Sequence, residues 1–342
     1  MEERLWYGPG IRRWFTMKWL LRSGLLAAVL AAVAFGGLGA ASAASTSVLP
    51  PPETVQSWPS VAPYGSFVES MAFGGGALYA SHTTWGVTTN VGTIERVPLD
   101  GGTPMPVVSG IDAGYGLLAG VAFDPQGRLY VAIAAFSDTV PTAVLRVGAE
   151  GRLTPVLYLP SEAFPNGLAF SGNYLYVTDP DLGAIWRVKL GGAPVTQTVP
   201  WLQDPALAPV KALGADGIAF RGNTLYVTQY DRGQILTTTV GRDGSPSPLQ
   251  VFAKDRALIS ADGIAFDPLG NLWVAVNGHY PSNSGSIVTV APNGTVRVLA
   301  DNMPWLDYPT QPTFAGSFGL YLANGSFNIG TPSIVRWATL PF

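Results

Sequence analysis

Glu69, Ala119, Asn166, Asp216, Asp262 and Thr310 hold one fixed place in a segment that returns six times, each just before a short apolar run. Their separations are 50, 47, 50, 46 and 48 residues. Four of the six offer a carboxylate or amide oxygen, a donor set that suits a hard divalent cation. A site assembled from separate loops accommodates the irregular shell of Ca²⁺, about six to eight oxygens, better than the strict octahedron of Mg²⁺. Taken singly, Asn166-Gly167, Asp216-Gly217 and Asp262-Gly263 are also ordinary turn dipeptides. Glu69, followed by Ser70, is not a turn former, and it tips the set toward metal ligation. Three carboxylates opposed across a narrow axis would repel one another without a cation. Against a divalent ion their summed charge would be about −1, which leaves one carboxylate basic enough to take a proton.

The elements that must position these residues repeat with them. The run after the marked place reads Met71-Ala72-Phe73, Val121-Ala122-Phe123, Leu168-Ala169-Phe170, Ile218-Ala219-Phe220 and Ile264-Ala265-Phe266. A second apolar stretch follows in every repeat, beginning Leu78-Tyr79, Leu129-Tyr130, Leu175-Tyr176, Leu225-Tyr226, Leu272-Trp273 and Leu320-Tyr321. A period of this size is that of a β-propeller blade. The expected fold is all-β, a six-bladed β-propeller with four-stranded blades. In blade 3, alternation predicts strands at Gly167–Phe170, Tyr174–Thr178, Ala184–Val188 and Val195–Val199. In blade 5 it predicts Gly263–Phe266, Leu272–Val276, Ser286–Val290 and Thr295–Leu299. The aromatic at the second place of each second strand is expected to pack between neighbouring blades. The sixth repeat ends without a fourth strand, and Glu53 to Trp58 can supply it, closing the ring without an open sheet edge.

Composition narrows the chemistry further. Of 342 residues 47% are apolar and 12% charged, with 41 Gly and 29 Pro, so the chain can bury a large core and must turn often. It contains no Cys, which excludes disulfides and thiolate chemistry, and its two histidines argue against a histidine-rich zinc or copper centre. Arg12, Arg13, Lys18 and Arg22, the apolar run from Gly24 to Gly39, and Ala41-Ser42-Ala43 have the layout of a signal peptide over residues 1–43. Residues 44–342 are then the propeller, secreted to a periplasmic or extracellular space. The charge-free stretch Gly24 to Ala44 is also just long enough to span a bilayer, although its Ala and Gly content makes it a poor anchor. The export route and the true start, Met1 or Met17, stay open. Residues 1–43 carry five basic and two acidic side chains, so the remainder holds 14 basic against 20 acidic, a balance that disfavours nucleic acid. The expected partner is a small molecule, and the expected state a monomer without a stable membrane span.

In a propeller blade the place before the first strand and the loop after the second strand share one face. That face would gather the marked residues with His82 to Trp85, Phe136 to Thr139, Asp179 to Asp181, Gln229 to Asp231, Asn277 to Tyr280 and Asn324 to Asn328. Both His82 and His279 fall in this set and are candidate proton shuttles. The bland reading of each is a rim residue with no chemical task. Trp85, Phe136, Tyr230 and Tyr280 would form an apolar mouth.

Pro165-Asn166-Gly167-Leu168-Ala169-Phe170, and Ala261-Asp262-Gly263-Ile264-Ala265-Phe266 followed by Gly270-Asn271-Leu272-Trp273-Val274-Ala275, resemble the SMP-30/gluconolactonase/LRE-like family over about residues 55–340. The likeness extends more distantly to diisopropyl-fluorophosphatases and paraoxonases. It implies Ca²⁺ on the axis, held by Glu69, Asn166, Asp216 and Asp262. It also implies that Asp262 activates water or attacks the substrate. Asp216 stands where the family has Asn. The reading is an exported calcium-dependent hydrolase that opens a lactone or related ester. The alternatives are a non-catalytic NHL-like binding scaffold and a strictosidine-synthase-like enzyme.

Overall fold

The computed structural model describes residues 46–58, 65–278, 284–316, 319–326 and 331–337. The expected signal segment 1–43, together with His279 and Tyr280, lies outside the described residues. Six sheets, each built on four antiparallel strands, make a six-bladed β-propeller. Only two short 3₁₀ turns, Ala149–Gly151 and Arg256–Leu258, interrupt the β structure among the described residues.

The innermost strands are Ser66–Gly74, Leu117–Phe123, Leu168–Ser171, Ala215–Arg221, Ala261–Phe266 and Pro309–Ala315. Blade 6 continues through Gly319–Asn324 and Ser333–Trp337 and is completed by Glu53–Ser57, which pairs antiparallel with Ser333–Arg336. The ring therefore closes through its N-terminal strand, and Arg336 fastens the closure by gripping Glu53 at 2.8 Å.

Neighbouring blades are joined by one repeated contact. In blades 1 to 5 the aromatic of the second strand meets the Phe near the end of the next blade's inner strand. Tyr79–Phe123, Tyr176–Phe220 and Tyr226–Phe266 are edge-on at 5.0 Å between centroids, Tyr130–Phe170 is tilted at 5.1 Å, and Trp273–Phe314 is edge-on at 5.8 Å. This geometry sets the ring's positive edge against the neighbour's negative face.

Two outer edges differ from the expected plan. Val195–Thr196 does not form the fourth strand of blade 3; it pairs in parallel with Leu157–Tyr158 on the edge of blade 2. Leu202–Gln203 takes the outer place in blade 3, against Ala184–Ile185. Pro194 and Pro200 bracket the first segment and keep it short. Trp201 then pulls the second inward by packing edge-on to Tyr176 at 5.1 Å and donating Nε1–H to the Gly244 carbonyl at 2.8 Å. In blade 5 the outer strand runs over Val296–Asp301 and gains a fifth neighbour, Thr46–Ser47.

His82 sits in the seam between blades 6 and 1, not at the axis. It lies on the second strand of blade 1 opposite Val68 and Thr93. Its ring stacks on Trp58 at 5.3 Å, and Trp58 donates its indole N–H to Glu95. Nδ1 of His82 is 4.0 Å from Glu95, and Nε2 is buried without a hydrogen-bond partner. Burial lowers its pKa to about 4, so the ring is neutral in the fold.

Two predictions follow from packing and charge. A Cβ on Gly217 would stand 2.2 Å from the Asp262 carbonyl oxygen, whereas one on Gly192 would meet nothing within 4 Å. Gly217→Ala is expected to cost about 1–3 kcal/mol in urea unfolding, and Gly192→Ala to stay within about 0.5 kcal/mol of wild type. His82 binds its proton more weakly folded than unfolded. Its contribution is therefore complete above pH 6.5 and is lost as the pH falls toward 4. The stability difference between wild type and His82→Gln should shrink over that interval by on the order of 3 kcal/mol. A constant difference would show that the ring is not desolvated.

Candidate functional site

The marked residues do not form turns. In five blades the pairing between the first two strands slips at the marked place: between Val68 and Ser70, Leu118 and Val121, Ala215 and Ile218, Ala261 and Ile264, and Pro309 and Gln311. Each slip is a β-bulge, a device that re-aims a side chain within a strand. The glycine after it answers a steric demand. A Cβ on Gly120, Gly217 or Gly263 would stand 2.1, 2.2 or 2.4 Å from the carbonyl oxygen of the next blade's marked residue. The Asp-Gly and Asn-Gly dipeptides thus mark where inner strands converge on the axis.

Hydroxyl groups tie the bulges together. Ser81 and Thr228 each accept the backbone N–H of their own blade's bulge and donate onward, to the Ala119 carbonyl at 2.8 Å and the Asp262 carbonyl at 3.1 Å. Thr178 does the same between Gly167 and the Asp216 carbonyl. Thr310 spends its hydroxyl on the Val68 carbonyl at 3.2 Å, closing the relay toward blade 1. The signal was present in the sequence as the Ser or Thr three places after Leu78, Leu175 and Leu225, and it was missed.

Glu69, Asn166 and Asp262, from blades 1, 3 and 5, line one axial cavity of about 100 Å³ together with Gln311 and the apolar Met71, Val121, Leu168, Ile218 and Ile264. Their exposures are 7%, 5% and 6%, so the donors are almost sealed from bulk water. Asn166 donates its amide N–H to Glu69 Oε1 at 2.9 Å, a bond that does not use its amide oxygen. Asn277 donates to Asp262 Oδ2 and to the Pro309 carbonyl, both at 2.9 Å. Asp216 is 1% exposed and stands beside the cavity rather than on its wall. Among the described residues no three Asp, Glu or His side chains form a ready metal cluster. The donor set that faces the cavity is two carboxylates and an amide, and its chemistry fits a hard cation.

Burial raises the Glu69 pKa to about 7, against the pull of the Asn166 hydrogen bond. Asp262 is held well above the ordinary carboxylate range by burial first, then by the charges of Asp216 and Glu69. Each ionised carboxylate thus opposes the others, which is the electrostatic condition a divalent ion would relieve.

On the loop face Trp85, Phe136 and Tyr230 do not line the axial cavity but pack against residues the sequence reading did not select. Phe67 lies 6.3 Å from Trp85 and 6.1 Å from Tyr308, and Phe164 lies 5.5 Å from Phe136. Tyr230 hydrogen-bonds Ser260 and Tyr308, and its phenol is raised by burial and by Asp262 and Asp216. Tyr308 is raised by burial, by Tyr230 and by the charges of Asp262 and Glu69. Phe67, Phe164, Ser260 and Tyr308 each stand two places before a marked residue, a register visible in the sequence once the bulge is known.

No protein-family model matches the sequence, and no curated protein matches it. Solved propellers are similar in structure. Regucalcin from Agrobacterium tumefaciens str. C58, a calcium-binding protein, superposes with a TM-score of 0.61 at 15% identity, over 84% of this chain and 94% of that one. The PQQ-bound aldose sugar dehydrogenase of Streptomyces coelicolor gives 0.54 at 16%, over 84% and 99%. Virginiamycin B lyase of Staphylococcus aureus gives 0.52 at 13%, over 82% and 98%. At these identities the likeness shows the propeller fold, which calcium-binding and enzymatic proteins of several kinds share.

Proposed function

We propose that the chain is an exported calcium-dependent hydrolase of the SMP-30/gluconolactonase/LRE-like type, acting as a monomer on a lactone or related ester. The observation that carries this reading is the convergence of Glu69, Asn166 and Asp262 from alternate blades on one cavity. Asp216 beside them adds charge that reaches Asp262. Ca²⁺, when bound there, supplies Lewis acidity for the substrate's carbonyl oxygen. Asp262 is the residue to take the proton of the attacking water, because its carboxylate faces the cavity beside Glu69 and Asn166. Asn277 fixes the Oδ2 side of that carboxylate. The apolar ring below the donors keeps bulk water from the far end of the cavity.

One observation favours a second reading. The cavity holds about 100 Å³, whereas small-molecule sites run to roughly 300–1,000 Å³. It accommodates an ion and a few waters without any movement of the roof. Under that reading the chain is a secreted, NHL-like binding propeller whose hub a cation stiffens.

The purified protein assayed on γ- and δ-lactones, aryl esters and phosphotriesters separates the two. Turnover should vanish with chelator, return with Ca²⁺, and fall by about a hundredfold or more in Asp262→Asn. Ca²⁺ at a hundred times its Kd should also stabilise the fold by about 2.7 kcal/mol, an increment lost in Glu69→Gln and in Asp262→Asn. A Ca²⁺-dependent melting point without any turnover supports the scaffold. Full activity in excess chelator overturns the mechanism.

A further inference from the structure

The layer directly above the axial donors is divided in chemical character. Two places before the marked residues stand Phe67, Leu117, Phe164, Gly214, Ser260 and Tyr308. On blades 1 to 3 this layer is hydrocarbon and buried, at 2%, 8% and 8% exposure, and it packs in one cluster with Tyr308. On blades 4 to 6 it is hydroxylic. Gly214 leaves a place without a side chain. Tyr230, whose N–H donates to the Gly214 carbonyl at 2.9 Å, presents its phenol to Ser260 and Tyr308. None of these side chains is charged.

The hydroxylic half is held in strained backbone. Ser260 has φ 70° and Tyr308 φ 56°, in the left-handed region that non-glycine residues rarely adopt. Such conformations persist where surrounding bonds over-determine them, and they cluster at ligand clamps. Here the Ser260 N–H donates to the Tyr230 carbonyl at 2.8 Å, the Asn277 N–H to the Ser260 carbonyl at 3.0 Å, and the Gly325 N–H to the Tyr308 carbonyl at 2.8 Å. The same bonds set Asn277 against Asp262, so the phenols and the axial carboxylate are aligned by one framework.

We infer that Tyr230 and Tyr308 are the substrate-orienting donors of the axial site, and that its substrate has a single oxygen-bearing acyl head and a hydrocarbon remainder, not a polyhydroxylated ring. This deepens the hydrolase reading and rests on it. On binding, the phenol–phenol hydrogen bond is exchanged for bonds from each hydroxyl to the acyl oxygens, so no buried donor is left unpaired. The hydrocarbon remainder would take its place beside Phe67 and Phe164, which are packed closed at 2% and 8% exposure in this structure. A sugar lactone would set several hydroxyls against this hydrocarbon half, each unpaired one costing about 1–3 kcal/mol.

The test compares a δ-lactone bearing an alkyl tail with δ-gluconolactone on the Ca²⁺-loaded wild type, Tyr230→Phe and Tyr308→Phe. The wild type should prefer the alkyl lactone by about a hundredfold in kcat/KM. Each Phe variant should lose about tenfold to a hundredfold on that substrate, mainly in kcat, with Ca²⁺ affinity by chelator competition at the wild-type value. Wild-type kinetics in both variants, or equal efficiency on the two lactones, overturns the inference. If the wild type opens no lactone, the hydrolase reading fails, and tryptophan-fluorescence titration with the matching alkyl δ-lactam decides the phenols' role. Weaker lactam binding by about tenfold in Tyr308→Phe supports it; equal affinity in all three proteins, or no binding, overturns it.

Discussion

The convergence of six inner strands on one axis is the constraint from which the other features descend. Backbones that approach this closely leave no room for a side chain on the neighbour's flank, and glycine stands there in blades 2 to 5. They also bring carbonyl oxygens together that the sheet ladders cannot satisfy, because each bulge takes its residue out of register. Ser81, Thr178 and Thr228 supply the missing partners, each accepting a backbone N–H of its own blade's inner chain and donating to the carbonyl of the next blade's marked residue. The marked side chains are aimed inward as a by-product of the same bulges. Positioning of the site and closure of the ring are one structural problem.

That coupling explains what was legible in the residues. The period, the closure by Glu53–Ser57 and the Tyr-to-Phe packing between blades repeat with fixed register, so a single repeat read correctly yields all of them. The lining of one cavity by Glu69, Asn166 and Asp262 follows from the same fixed register. Features that occur once were not legible. Trp201 redirects the edge of blade 3 through contacts with Tyr176 and Gly244, residues 25 and 43 positions away, and no local pattern announces them. His82 was assigned to the axial face because its loop belongs there, yet the pleat turns its side chain into the seam, where Trp58 covers it. A strand exchanges faces with every residue, so a register judged from loop boundaries errs easily by one.

The electrostatics of the hub run against stability. A Glu69 whose pKa rises from 4.5 to about 7 on folding stabilises the fold fully below pH 4.5, and that contribution is lost as the pH climbs through 7. At neutral pH and above, the cost is on the order of 3 kcal/mol for this residue alone. Asp262 is burdened in the same direction by burial and by two neighbouring carboxylates. Hydrogen bonds from Asn166 and Asn277 offset part of this and fix the two carboxylates in place. Blades 2 and 6 show that the ring does not need charge at the marked place, since Ala119 and Thr310 fill it at 0% exposure.

A buried carboxylate that the scaffold can do without is retained for what it binds or for what it does. The surroundings of this site sort those uses by depth. Below the donors, Met71, Val121, Leu168, Ile218 and Ile264 form an apolar floor that offers nothing to a polar ligand. At their own level, two carboxylates and an amide offer oxygen alone. Above them, phenols and hydrocarbon divide the roof between a hydrogen-bonding half and an inert one. A hard cation is matched only by the middle level, and an amphiphilic acyl molecule only by the upper one. Between the two levels, Tyr308 and Asp262 stand close enough for the charge of the carboxylate to weigh on the phenol's proton.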